Sequence, residues 1–314
     1  MAAVDASARR PKRRVDWAKW GLATYFVIFL AFLFLPMILM AVLSLQGAGG
    51  QLTFPFKGPL SLDWWRALID VERYPYHAQD IRIAAKNSLW LSLAGGAITA
   101  VLAFTLSMAF RRRWRFRTDA IGFYVIMLAL MTPGYLLAVG TQLFWAAIGE
   151  QPSIWRTALG ANVVWGIPFG FLVMLAVWNR YDQGVEEAAR DLGADRKRTF
   201  REVTFPLVWT GVFGAFLFGF TLTWNDYDRS ALFQEAFTDT LPLTIGSFTF
   251  TGAILPDLYA LGTATTLLTI LVILTVLAIA FLRLRITARG RVTQVEEELG
   301  IAEGIGASAA LEDK

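Results

Sequence analysis

The sequence predicts an all-α membrane protein of six transmembrane helices, and three observations carry that expectation. Hydrophobic side chains make up 56% of the 314 residues, at a mean hydropathy of +0.49. An ordinary soluble domain is roughly 45–50% apolar. Six segments of at least 19 residues contain no Asp, Glu, Lys or Arg, and 22 of the 29 Lys and Arg residues fall outside them on alternating connections. A bilayer helix needs about 20 mainly apolar residues, because its backbone polar groups find no water in the hydrocarbon.

The first segment, 21–45, follows a basic tail at 1–16 that contains the stretch Arg9 to Arg14. Its 25 uncharged residues exceed the roughly 7–15 of a signal-peptide core, which predicts a retained helix. The second and third segments, 88–110 and 120–148, flank the basic run Arg111 to Arg117. The fourth, fifth and sixth are 160–178, 206–224 and 258–282, followed by a polar tail at 286–314. Positively charged loops stay cytoplasmic, which places both termini and the loops 111–119 and 179–205 on the inner side. The basic runs therefore report topology and lipid contact, and no nucleic-acid partner is expected. Trp17, Trp20, Trp90, Trp178 and Trp224 lie near segment ends, where an indole anchors at the headgroup level.

Within these segments, Pro133 and Gly134 predict a kink in the third, which fits either a bend beside a solute path or simple packing. Gly166 and Gly170 are spaced for close helix approach. Between the first and second segments, Ser61 is a cap candidate for a short lid or packing helix carrying Trp64 and Trp65. A second short helix is expected in the loop 225–257. With no cysteine and one histidine, His77, neither disulfides nor a thiolate or multi-histidine metal site can form.

The 27-residue connection 179–205 is far more polar than a link requires. Residues 185–192 read as a helix with Asp182 as cap candidate. Gly193 ends that helix through the left-handed conformation, and Asp195 caps a second one. Pro206 stands where the fifth segment starts, as proline does at a helix beginning.

Glu187-Ala188-Ala189, then Gly193, then Val203, Phe205 and Pro206 match the spacing of the EAA loop, Glu-Ala-Ala, three residues, Gly, nine residues, Ile-x-Leu-Pro. Val203 and Phe205 replace the Ile and Leu. The chain thus resembles the binding-protein-dependent ABC importer permeases, and the likeness runs from 87–89 to 240–243. That resemblance implies a type I, MetI-like architecture in a bacterial inner membrane. It also implies that the loop couples to an ATPase: Glu187 pairs with a basic group, Ala188 and Ala189 keep the contact close, and Gly193 allows the turn. The sequence has no G-x-x-x-x-G-K-[ST] phosphate loop. By resemblance the chain has no cofactor of its own, ATP and Mg sit on two copies of the partner ATPase, and further partners are a second, PotB-like permease chain and an extracytoplasmic solute-binding protein. A homodimer is the alternative to that heterodimer.

The branch most resembled is the PotC-like permease of spermidine/putrescine importers. The match to its Phe-Thr-Leu-Ser-Phe-Asp-Asp-Phe stretch is Phe220-Thr221-Leu222-Thr223-Trp224-Asn225-Asp226-Tyr227, with Asn225 in place of one acid and Asp228 added. Trp224, Asn225, Asp226, Tyr227 and Asp228 are therefore candidates for the solute path, since carboxylates and aromatic faces suit a polyamine cation. The same residues also fit a cap at the headgroup level. A six-helix channel leaves the loop unexplained, and a proton-coupled transporter calls for ionisable residues inside the spans.

Overall fold

A computed structural model describes residues 17–46, 59–70, 75–113, 118–233, 240–250 and 256–298. The basic tail 1–16, the end of the polar tail at 299–314 and the run 114–117 lie outside the described residues, as do the side chains of His77, Arg112 and Arg113. The described residues form helices and no paired strands apart from an isolated bridge between Gln46 and Leu60. Five of these helices are long and apolar enough to span a membrane, or six spans if one bent pair counts as a single crossing.

Helix α1, Trp17–Leu43, is exposed along most of its length and packs along the last helix, α11, Pro256–Glu298. A helix apolar on all sides is stable in lipid, where exposure of Leu, Ile and Phe carries no hydrophobic cost. Helix α2, Asp63–Ile69, is the packing helix expected after Ser61, whose Oγ accepts the Asp63 N–H at 2.9 Å. Its two tryptophans fasten it to the end of α1: the Trp64 indole donates to the Gln46 carbonyl and that of Trp65 to the Ser44 hydroxyl.

The second segment is longer than predicted. Helix α3, Pro75–Arg113, begins well before residue 88, because Asp80, Arg82 and Lys86 end the apolar window without ending the helix. The third segment is not one kinked span but two helices, α4, Thr118–Met131, and α5, Gly134–Ala147, set at 104°. Proline removes a ladder N–H and clashes with the preceding turn. The chain leaves the helix at Thr132 and Pro133, and Pro133 then starts α5 from extended backbone.

The core is built by α3, by α6, Leu159–Trp178, and by α9, Phe205–Trp224. Small residues set their spacing. A Cβ added at Gly166 would lie 2.9 Å from Thr99 Oγ1, and one at Gly170 would lie 2.9 Å from the Ala103 Cβ and 3.1 Å from that of Ala215. Where hydrocarbon supplies no hydrophobic drive between helices, such contact surfaces provide the dispersion that holds them. Ala100, Ala103, Met174, Val208 and Ala215 fill the three-helix seam, while Phe220 and Trp224 pack with Ile81, Leu241 and Leu261 at the other end.

Trp17, Trp20 and Trp90 are exposed, as interface anchors require, but Trp178 and Trp224 are not anchors. Both are buried: Trp178 donates to the Ser107 hydroxyl at 3.0 Å, and Trp224 stacks on Phe220. Helix α10, Leu241–Phe250, occupies the loop where a short helix was expected, and α11 carries helical backbone into the tail as far as Glu298.

Candidate functional site

The connection between α6 and α9 folds as two short helices around a glycine corner. Asp182 accepts the Gly184 N–H at 2.9 Å and so turns the chain one residue ahead of α7, Gly184–Asp191, whose N-terminal flanking residue is Gln183. At the far end the Gly193 N–H bonds to the Arg190 carbonyl and the Ala194 N–H to that of Ala189, with Gly193 at φ +88°. This pair of bonds satisfies carbonyls that the helix end would otherwise orphan, and only glycine enters that conformation without a steric cost. Asp195 then caps the next turn, α8, Arg196–Arg198, by accepting the Arg198 N–H at 2.7 Å. A π-helical turn over Thr199–Thr204 carries α8 directly into α9, with Pro206 in its first turn.

Two faces of α7 do different things. Val185, Ala188 and Leu192, at helical spacing, point outward, and Leu192 is 90% exposed. Glu187 is exposed beside them, whereas Ala189 is half-buried toward the body of the protein. Val203 is half-buried, and Phe205 packs its ring against Phe104 and Phe200 while remaining partly exposed. Gly193 and Pro206 take up the local geometry expected of them and Ala188 faces outward, but Ala189 does not share that face, and Leu192, the largest apolar group on it, was missed. Its position immediately before the glycine, at the end of the helical stretch, disguised it.

The inner face centres on Glu186, also missed. One carboxylate oxygen accepts from Arg111 Nη1 of α3 at 2.9 Å, from the Tyr181 hydroxyl at 2.9 Å and from Thr204 Oγ1 at 2.7 Å; the other receives Arg190 at 3.4 Å. The Arg111 guanidinium lies over the rings of Trp178 and Tyr181, 4.7 and 4.4 Å from their centroids. Burial alone would raise the Glu186 pKa, but the hydrogen bonds from Arg111, Thr204 and Tyr181 outweigh it and hold the carboxyl below its ordinary value. Burial, with Glu186 adding to it against the Thr204 hydrogen bond, pushes the Tyr181 phenol upward. The cluster borders an open cavity of about 340 Å³ that Arg190 and Arg196 also line.

The five candidates at the end of α9 are not brought together on one surface. Trp224 is buried in the core, Asn225 is exposed with its amide on the Thr221 carbonyl, and Tyr227 lies against Gly246 of α10. Asp228 is exposed. Asp226 is buried and fully engaged: Arg229 at 2.8 Å, the Asn162 amide at 3.0 Å and the Ser230 hydroxyl at 2.7 Å. Arg229 also donates to Asn162 Oδ1 at 2.9 Å, faces the Trp165 ring and passes along Gly134 at the start of α5. No sequence signal marked Arg229 as the partner, because it falls beyond the uncharged segment in what reads as a loop. Among the described residues, no group of His, Asp and Glu side chains has the arrangement of a metal site.

A three-helix membrane core with an amphipathic two-helix loop leading into α9 fits the membrane subunit of a solute importer. The chain belongs to the family of binding-protein-dependent transport system inner membrane components, which matches residues 95–290. It is 27% identical over 242 residues to the spermidine/putrescine transport system permease protein PotC of Haemophilus influenzae, covering 77% of this chain and 88% of that one. A bacterial ABC transporter that imports the acidic polysaccharide alginate shares the fold at a TM-score of 0.61 and 16% identity, over 84% of this chain and 95% of that one. The alginate transporter solved in complex with a pentasaccharide-bound periplasmic protein gives 0.57 at 18% identity, over 84% and 93%. The chain is the permease subunit of an ABC importer of the inner membrane.

Proposed function

We propose that this permease forms half of a polyamine pathway and is driven by an ATPase that docks on the outer face of α7. The observation that carries the docking is the exposed stripe of Val185, Ala188 and Leu192 beside Glu187. An amphipathic helix that presents its apolar side to solvent is suited to a groove on a partner. In this reading Gly193 sets the angle of the corner, and Val203, Phe205 and Pro206 join it to α9. Two ATPase copies hold ATP and Mg and hydrolyse the nucleotide. A second permease chain of the PotB kind supplies the other half of the path, and a solute-binding protein delivers from outside. The basic loops and both termini lie on the cytoplasmic side.

The polyamine assignment is supported by the likeness to PotC and not by Asp226, whose charge is already met by Arg229. A solute ammonium would find the exposed Asp228 and the ring of Tyr227 instead. The reading is tested by gentle purification from the native membrane, with native mass spectrometry of the parent, Glu187→Arg and Gly193→Trp. Recovery of an ATPase that both substitutions remove, and uptake of labelled spermidine by the reconstituted parent, are the expected results. An ATPase that stays bound to both variants would overturn the docking face, and a reconstituted complex that hydrolyses ATP but leaves spermidine outside would overturn the solute class.

A further inference from the structure

We infer that Glu186, rather than the outward-facing Glu187, is the positioning residue through which movement of α7 reaches the membrane helices. The inference rests on the docking reading above and deepens it. Besides the short link 179–183 back to α6, two routes connect α7 to the core. The covalent route toward α9 runs through the Gly193 corner, where glycine tolerates large backbone changes, and then through the turn over Thr199–Thr204. The other route is the side-chain cluster, in which one carboxylate collects donors from α3, from the segment after α6 and from the last residue before α9.

That cluster is built to resist deformation. The side chains of Glu186 and Arg111 are each only 14% exposed, so water replaces their bond poorly. Arg111 is fixed in turn by the Trp178 and Tyr181 rings, and Trp178 is bonded to Ser107 of α3. A displacement of α7 must therefore either break these bonds together or carry the ends of α3, α6 and α9 with it. Glu187 has no such attachment to the core and is placed to touch a partner. One helix thus separates two tasks by face, with binding outside and transmission inside.

The chain lacks cysteine, so Gln79→Cys, near the start of α3, and Asp191→Cys, at the end of α7, are its only spin-label sites, and they report the coupling once any cysteines of the partner chains are replaced. The measurement compares the complex before and after trapping with ATP and vanadate, in the Glu186 parent and in Glu186→Ala and Glu186→Gln. The parent is expected to keep the same distance in both states, because α3 and α7 travel together. Glu186→Ala is expected to retain the ATPase yet to shift or broaden the trapped distance by a few ångströms, the scale of helix shifts in switching proteins. Glu186→Gln keeps acceptors for the Tyr181 and Thr204 hydroxyls and should fold as the parent does, with an intermediate change. Loss of the ATPase from both variants would move Glu186 to the docking surface and overturn the inference, as would a trapped distance that matches the parent in both. A parent that holds no ATPase would sink the docking reading itself, and the relay with it.

Discussion

Asp226 and Arg229 meet at 2.8 Å just beyond the end of α9, with side chains 1% and 10% exposed. The pair shares Asn162 of α6, which donates to the carboxylate and accepts from the guanidinium. Since Arg229 also lies along Gly134, this one cluster holds the ends of α6 and α9 against the break between α4 and α5. A buried charge whose partner is removed keeps its desolvation penalty without the compensating attraction.

Arg229→Met should therefore cost about 3–5 kcal/mol of stability, seen as a lower thermal unfolding midpoint in detergent. Arg229→Met combined with Asp226→Leu should recover most of that loss, because no unpaired charge then remains. A double variant no better than the single one would mean that the ion pair does not set the stability of this region.

Leu192→Asp separates docking from folding. The side chain is 90% exposed and touches little of its own protein, so stability should change by no more than about 0.5 kcal/mol. Recovery of the ATPase with the purified complex should nevertheless fall sharply, since a carboxylate would have to be desolvated in an apolar groove. Full ATPase recovery with Leu192→Asp would remove the outer face of α7 from the interface.

These contrasts show where the sequence was readable. Long uncharged segments announce themselves, and so do Gly193 and Asp195, because a left-handed corner and a helix cap each have a short residue vocabulary. The 104° break was legible only as a kink at Pro133, since proline marks where a helix yields but not by how much. The extension of α3 through Asp80, Arg82 and Lys86 was hidden because apolar length measures a membrane crossing, not a helix. Glu186 and Arg229 were invisible for a different reason: their meaning lies in partners as distant as 75 and 67 residues along the chain.

The Glu186 cluster carries a pH signature. Its carboxyl is held below the ordinary 4.5, so the stabilisation it contributes is complete above that value and is lost as pH falls through the lowered folded-state pKa. Tyr181 behaves in the opposite sense: its phenol is raised above 10, and the contribution of the neutral form persists below 10 and disappears as pH climbs through the raised value. Between these limits the cluster keeps one charge state. The gap in unfolding midpoint between the parent and Glu186→Gln should be constant near neutrality and should close as the pH drops below 4.5. A gap independent of pH into the acid range would show that the carboxylate charge contributes nothing.

Gly219 tests whether close helix approach, rather than apolar content, holds the core. A Cβ there would stand 2.7 Å from the Thr99 Cβ and 3.0 Å from the Gly96 Cα. Neither neighbour is the loose end of a flexible side chain, so α9 and α3 must separate to admit even one methyl group. Gly219→Ala adds apolar surface and improves helix propensity, and by composition alone it should stabilise the protein. Overpacking at this contact should instead cost about 1–3 kcal/mol, and because α6 meets the same Thr99 through Gly166, the strain spreads to all three core helices. Gly140→Ala, where nothing lies within 4 Å of the added carbon, is the matched control and should be neutral or slightly stabilising. Equal unfolding midpoints for the two variants would mean that the α3–α9 contact has room to spare, and small-residue spacing would no longer account for the packing of the core.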